Sequence, residues 1–133
     1  MKISKPVLIM LASLTFSGAH ATAVSELLQK YETQGAKQFN AQAGKELWTR
    51  SFGISKEGKV RRCSTCHTDD LRKAGTHIKT NKDIDPLAPS VNNKRLMEIA
   101  EIEKWFKRNC EWTLERECSA QEKGDFLSYI RMQ

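Results

Sequence analysis

The five residues Cys63-Ser64-Thr65-Cys66-His67 constrain this chain more than anything else in it. C-x-x-C-H is the attachment pattern of a c-type haem. Its two thiols can form thioether bonds to the vinyl groups of the porphyrin, and the adjacent imidazole can then reach the iron from one side. A chain with this pattern folds around a flat apolar disc, which supplies core that a haem-free domain of this size would have to build itself. Two other readings of the cysteines compete. A redox dithiol of the thioredoxin type sits in βαβ surroundings, and no Val/Ile-rich strand segment lies near Cys63. A four-thiolate zinc site with Cys110 and Cys118 would need a gap of two to four residues in each pair. The second pair is spaced much more widely.

The N-terminus indicates the compartment independently of this motif. Lys2 and Lys5 precede an apolar stretch from Val7 to Phe16, and Ala19-His20-Ala21 forms a small-residue cleavage site. This pattern predicts a secretory signal over residues 1–21 and a single mature domain over 22–133. The apolar stretch is too short to span a bilayer, and no later stretch approaches that length. A periplasmic protein without a membrane span is expected, and c-type haem is attached outside the bacterial cytoplasm. In an oxidising compartment four cysteines are an even count. Two are consumed by haem, which leaves Cys110 and Cys118 to pair as a disulfide. Such a bridge closes a loop of about nine residues and stabilises by about 2–3 kcal/mol on a chain-entropy argument.

The formal net charge is +6, and the signal holds two lysines and no acid. The mature charge is therefore about +4, and two haem propionates would bring it to about +2, too little for a phosphate-neutralising patch. Nucleic acid is not expected as a partner. Lys56, Lys59, Arg61, Arg62, Arg72 and Lys73 nevertheless flank the haem motif on both sides. They form either a solvated loop surface or a docking face for an acidic redox partner.

Periodicity along the chain is helical. Val24, Leu27, Leu28 and Tyr31 make the stripe of a first helix, interrupted at Gln34-Gly35. Phe39, Ala43, Leu47 and Trp48 make a second, in which Gly44 shares a face with Trp48 and allows close approach of another helix. Residues 49–62 read as a loop. Residues 68–90 show no sustained period, and Pro86 and Pro89 argue against regular structure there. Such a segment suits a wrap around a porphyrin edge. A third helix is expected from about Asn93 to Asn109. Ser119-Ala-Gln-Glu122 then forms a capping box for a last helix with Phe126, Leu127 and Ile130 on its apolar face. No strand pattern is evident, so the expected fold is all-α, with helices packed around one haem.

His67 fills one axial position, and the other decides whether such a protein carries electrons or binds gas. Downstream methionines are confined to Met97 and Met132, the latter near a fraying end. On a wheel of about 100° per residue with Ile102 at zero, the stripe Ile99, Ile102, Trp105 and Phe106 leaves Met97 at about 220°, facing away. Asn109 falls at about 340°, in the centre of the apolar face. An amide there needs a partner. Either it caps the helix C-terminus, or its carbonyl oxygen points at the iron, with Cys110 restraining the backbone beside it. His77, in a polar loop, is the remaining candidate. Trp105 and Phe106 read as core residues or as walls of the distal side. Pro86 or Pro89 could offer a carbonyl to the Nδ1–H of His67, and Arg95 or Arg108 could meet a propionate.

The run from Ile84 to Leu127 contains D-P-L-A-P-S-V-N (85–92), E-K-W-F-K-R-N-C (103–110), R-E-C (116–118) and A-Q-E-K-G-D-F (120–126). It closely resembles the Sphaeroides haem protein family, the oxygen-binding monohaem cytochromes c. The E-K-W-x-x-R-N-C pattern is far more specific than C-x-x-C-H alone. The resemblance implies class I cytochrome c-like helices, Asn109 as distal ligand, and pairing of Cys110 with Cys118. It also implies a dihaem cytochrome c, fed by a membrane cytochrome b, as electron donor. An amide oxygen is a hard, neutral donor that tolerates ferric iron and holds ferrous iron poorly. Reduction should then release Asn109 and open a site for O₂, NO or CO, with the freed NH₂ near enough to hydrogen-bond the gas. A plain electron carrier with His/Met ligation is the competing function. Enzymatic O₂ reduction or nitric oxide dioxygenation at the open iron is a third. A peroxidase would want a distal acid/base, for which His77 is the one available histidine.

Overall fold

The computed structural model describes residues 19–133. The expected signal segment lies outside these residues except for its last three, which open the first helix. That helix, α1 (Ala19–Thr33), buries Ala23, Val24, Leu27 and Tyr31. It ends where Gly35 takes φ +93°, a left-handed conformation that glycine adopts without steric cost.

The second helix, α2 (Ala41–Thr49), starts where the side chain of Asn40 accepts from the N–H groups of Gln42 and Ala43 at 2.8 and 3.3 Å. Phe39, read from its spacing as part of this helix, lies before that cap and packs on Gly124. Gly44, Leu47 and Trp48 face inward. The haem motif itself is a single helical turn, α3 (Cys63–His67). Beyond it, β1 (Gly75–Thr76) and β2 (Asp83–Ile84) pair antiparallel, Gly75 opposite Ile84 and Thr76 opposite Asp83. Strands of two residues are too short to leave an alternating pattern, which is why the sequence showed none.

The long helix α4 runs Ile99–Leu114, later at both ends than the spacing predicts. Leu96 takes φ +58° and packs into the core, so the chain cannot be helical through it. At the other end, Glu115 in the left-handed conformation terminates the helix. The last helix, α5 (Ala120–Ile130), begins at the expected capping box, with both reciprocal bonds of Ser119 and Glu122 present.

Helices α2 and α5 form the tightest contact. A β-carbon on Gly44 would overlap the carbonyl oxygen of Asp125 and sit 2.9 Å from Cβ of Tyr129. The buried Asp125 carboxylate accepts from the Asn40 N–H at 2.7 Å and from Gln121 at 3.1 Å, tying the start of α2 to α5. Around this pair gather Leu71, Ala88, Phe126 and the Cys110–Cys118 bridge. A second cluster joins α1 to Ile102 and Leu127, and Phe106 and Leu96 pack against both.

Candidate functional site

The α3 turn is fixed at both ends by its neighbours. Thr65 donates through its hydroxyl to the Val60 carbonyl at 2.7 Å. Thr68, at φ 65°, turns the chain away while its N–H returns to Ser64 O at 3.0 Å. Strand β1 crosses directly on this turn, since a β-carbon on Gly75 would overlap the Cys66 carbonyl oxygen. Helical i, i+3 spacing places Cys63 and Cys66 on one side of the turn, and both are unbonded thiols. Burial pushes the Cys63 thiol up to about 12, so it is protonated at neutral pH.

His67 stands beside them in a dry environment. Burial, and then the positive charges of Arg95 and His77, lower it to about 4. The imidazole is therefore neutral at pH 7 and has a lone pair to offer a metal. Its Nδ1 is buried without a hydrogen-bond partner among the described residues. Trp48 packs on it with ring centres 5.6 Å apart, and the indole N–H donates to the Thr68 carbonyl at 2.9 Å. Helical spacing had marked Trp48 only as a helix–helix contact. Its approach to His67 crosses a loop, and no local pattern announces it.

Residues 85–96 close over this side. The N–H groups of Leu87 and Ala88 both donate to Leu71 O at 2.9 Å. The Pro86 carbonyl accepts from Asn92 Nδ2 at 3.0 Å and from Arg95 Nε at 2.9 Å. Both of its lone pairs are thus engaged, which removes Pro86 as an acceptor for His67 Nδ1.

On α4 the buried residues are Ile102, Cys110 and Thr113, with Phe106 packed between them. This centres the inward face on Phe106 and leaves Asn109 on an exposed flank, where the wheel with Ile102 at zero, counting Trp105 in its stripe, puts it at the centre. Trp105 is itself 43% exposed, with Lys104 and Arg108 at 5.5 and 5.1 Å from its ring centre. Asn109 does not cap the helix, because α4 continues to Leu114. Its carboxamide makes no hydrogen bond to the described residues. The next residue, Cys110, is bonded to Cys118 with their Cα atoms 5.5 Å apart.

Other candidates sit differently from their expected places. Met97 lies in the loop before α4, half-buried, so the helical argument that turned it away does not apply to it. Met132 is 70% exposed beyond α5. His77 turns inward on its own hairpin, where Nδ1 accepts from the N–H groups of Lys79 and Thr80, both at 3.3 Å. Of the basic cluster, Arg61 is paired with Glu115 and Arg72 with Asp70. Lys56, Lys59, Arg62 and Lys73 stay exposed. Lys59 and Arg62 line a shallow groove beside α3 with Ser64, Thr65 and Asp69. Among the described residues no helix is long and apolar enough to cross a membrane.

Two free thiols one turn apart and a buried neutral imidazole with an orphaned Nδ1 fit the demands of a c-type haem. Comparison with known proteins agrees. Residues 34–130 match the family described as a domain of unknown function (DUF1924). Cytochrome c-type protein SHP of Cereibacter sphaeroides is 34% identical over 112 residues, spanning 84% of this chain and 85% of that protein. Cytochrome c'' of Methylophilus methylotrophus is 39% identical over 87 residues, spanning 65% of this chain and 60% of that protein. The structure of oxidised SHP, described as an oxygen-binding cytochrome c, superimposes with a TM-score of 0.74 at 33% identity, over 83% of this chain and 96% of that one. Oxidised cytochrome c'' superimposes with a TM-score of 0.72 at 32% identity, over 84% and 95% of the two chains. Fold and site together define a c-type cytochrome, mostly helical and with class I-like neighbours, whose cofactor is haem c. The chain belongs to the sphaeroides haem protein family.

Proposed function

We propose that this protein carries one haem c, attached covalently through Cys63 and Cys66, and acts in the periplasm as a redox-gated binder of a diatomic gas. His67 is the proximal ligand and Asn109 the distal ligand of the ferric state. A haem held there would supply one-electron iron chemistry and, when ferrous, a position for O₂, NO or CO. Asn109 would hold the ferric iron through its amide oxygen and would leave it on reduction, because a neutral oxygen donor is a poor ligand for the softer ferrous ion. Its freed NH₂ would be a donor available to the bound gas.

The observation that carries this reading is the state of Asn109: a mid-helix carboxamide without a hydrogen-bond partner among the described residues, one residue from a cysteine bonded to Cys118. The bridge restrains the backbone, while the side chain is free to move. Two relatives support it. SHP is described as an oxygen-binding cytochrome c, and a solution structure of cytochrome c'' was analysed for haem-ligand detachment. By the same family resemblance the electron donor is a dihaem cytochrome c served by a membrane cytochrome b. The exposed Lys56, Lys59, Arg62 and Lys73 suit electrostatic docking of such a donor.

A second reading, plain electron transfer with Met97 as the distal ligand, draws on the place of Met97 in the loop leading into α4. Optical and electron paramagnetic resonance spectra of both oxidation states separate the two. The gated site requires a high-spin, five-coordinate ferrous protein that binds CO readily. Asn109→Ala should retain the haem mass and speed ligand binding to the ferric form. A low-spin ferrous spectrum, inert to CO and abolished in Met97→Ala, would assign Met97 and return the protein to electron transfer.

A further inference from the structure

Arg95 holds its charge in an unusual way. Its Nε donates to the Pro86 carbonyl at 2.9 Å and its Nη2 to the Asp85 carbonyl at 2.8 Å. Neither acceptor carries a formal charge. Arg61, the other arginine that is not exposed, is paired with Glu115, whereas among the described residues Arg95 has no carboxylate partner. The clamp is rigid: Asn92 shares the Pro86 carbonyl, Leu87 and Ala88 are bonded to Leu71 O, and Ala88 and Leu71 are fully buried. The guanidinium cannot swing to solvent without breaking two hydrogen bonds.

A half-buried cation without a counter-charge is unfavourable unless an anion joins it. Guanidinium has five N–H donors, of which two are used here, and the remainder lie in one plane suited to a carboxylate. The clamp lies against the attachment segment, since Leu87 and Ala88, next to Pro86, both donate to the carbonyl of Leu71, which follows closely on His67 in the chain. A haem attached at Cys63 and Cys66 brings two carboxylates of its own into this neighbourhood.

We propose that Arg95, fixed by the carbonyls of Asp85 and Pro86, is the binding site for a propionate carboxylate of the haem. The inference rests on the proposed covalent attachment. It assigns Arg95 two effects: anchoring one edge of the porphyrin, and supplying a positive charge that favours the ferrous state.

The test uses haem-bearing wild type, Arg95→Gln and Arg95→Lys. Both variants should keep the haem mass. Arg95→Gln should shift the propionate bending mode in the resonance Raman spectrum and lower the ferric/ferrous midpoint potential. Arg95→Lys should restore the potential more fully than the vibrational mode, because an ammonium replaces the charge but not the planar fork. An unchanged mode and potential in Arg95→Gln would overturn the assignment. Should that variant fail to accumulate, the wild-type mode decides: a propionate held by N–H donors shifts on exchange into D₂O, and a mode indifferent to exchange refutes the contact. Acetate added to wild type should leave the potential unchanged. An acetate-dependent shift would assign the site to free anions instead. A wild-type protein lacking covalent haem would sink the attachment and this inference together, whereas a haem-bearing protein indifferent to Arg95→Gln sinks this inference alone.

Discussion

Replacing Gly44 with alanine would place a methyl group where α2 and α5 touch. In an exposed helix that change stabilises by about 1 kcal/mol, because alanine is the better helix former. Here the new β-carbon would overlap the Asp125 carbonyl oxygen and lie 2.6 Å from its carbon and 2.9 Å from Tyr129 Cβ. The nearest of these atoms are backbone, so no rotamer change relieves them. The helices must part by about 1 Å, a gap that forfeits a quarter to a half of each close contact along the interface. Overpacking of this kind costs about 1–3 kcal/mol, and backbone-on-backbone overlap belongs at the upper end. Subtracting the propensity gain leaves a net loss of about 2 kcal/mol. With a urea dependence of about 1–3 kcal/mol/M for a small protein, the unfolding midpoint should fall by about 1 M. Trp48 lies one turn further along α2, so its contact with His67 should loosen too and perturb the haem spectrum before unfolding. Urea titration of the haem-bearing protein, followed by far-ultraviolet circular dichroism and Soret absorbance, measures both effects. Exposed Lys45→Ala on the same helix is the control, expected within about 0.5 kcal/mol of wild type. If Gly44→Ala were as stable as that control, close packing of α2 on α5 would not be what seats the α3 turn.

Two further outcomes are expected. Burial pushes the Glu103 carboxyl up, but the ammonium groups of Lys30 and Lys123, each at 2.9 Å, outweigh it and hold the group below its ordinary value of 4.5. A depressed carboxylate stabilises above that ordinary value and ceases to do so as pH falls through the lowered one. Glu103→Gln should therefore cost about 1 kcal/mol at pH 7 for this partly exposed pair of contacts, and its deficit should shrink as pH falls below 4.5 and vanish once pH is below the lowered value. Thermal unfolding at both pH values checks this, and an equal deficit at each would refute the charge argument. Alkylation of oxidised protein should label neither Cys110 nor Cys118 until reductant is added, and Cys118→Ser should lose about 2–3 kcal/mol of stability. Free thiols at these positions in untreated protein would remove the bridge from the account of Asn109.

The features legible in the amino-acid sequence are those written in near neighbours. C-S-T-C-H states its chemistry within one helical turn. The stripe of α1 and the Ser119–Glu122 capping box are likewise local, and both stand where they were read. Asn109 was singled out both by its phase on the wheel and by its motif, and the burial along α4 turns the inward face away from that phase. A wheel weighs residue types, and Trp105 counted as apolar although its ring is 43% exposed among the described residues. Tertiary packing chose the inward face of α4 by burying Cys110 and Thr113. It also ended the helical possibility at Leu96, which is drawn into both core clusters at a positive φ. The contact of Trp48 with His67 and the carbonyl clamp on Arg95 join residues from separate segments. Hydrogen bonding and period along a helix depend on residues a few positions apart, so the sequence alone determined them. Which side chain faces the haem turn, and which charge lies unpaired beside it, depends on surfaces that meet only once α2, α5 and the 85–96 segment have packed.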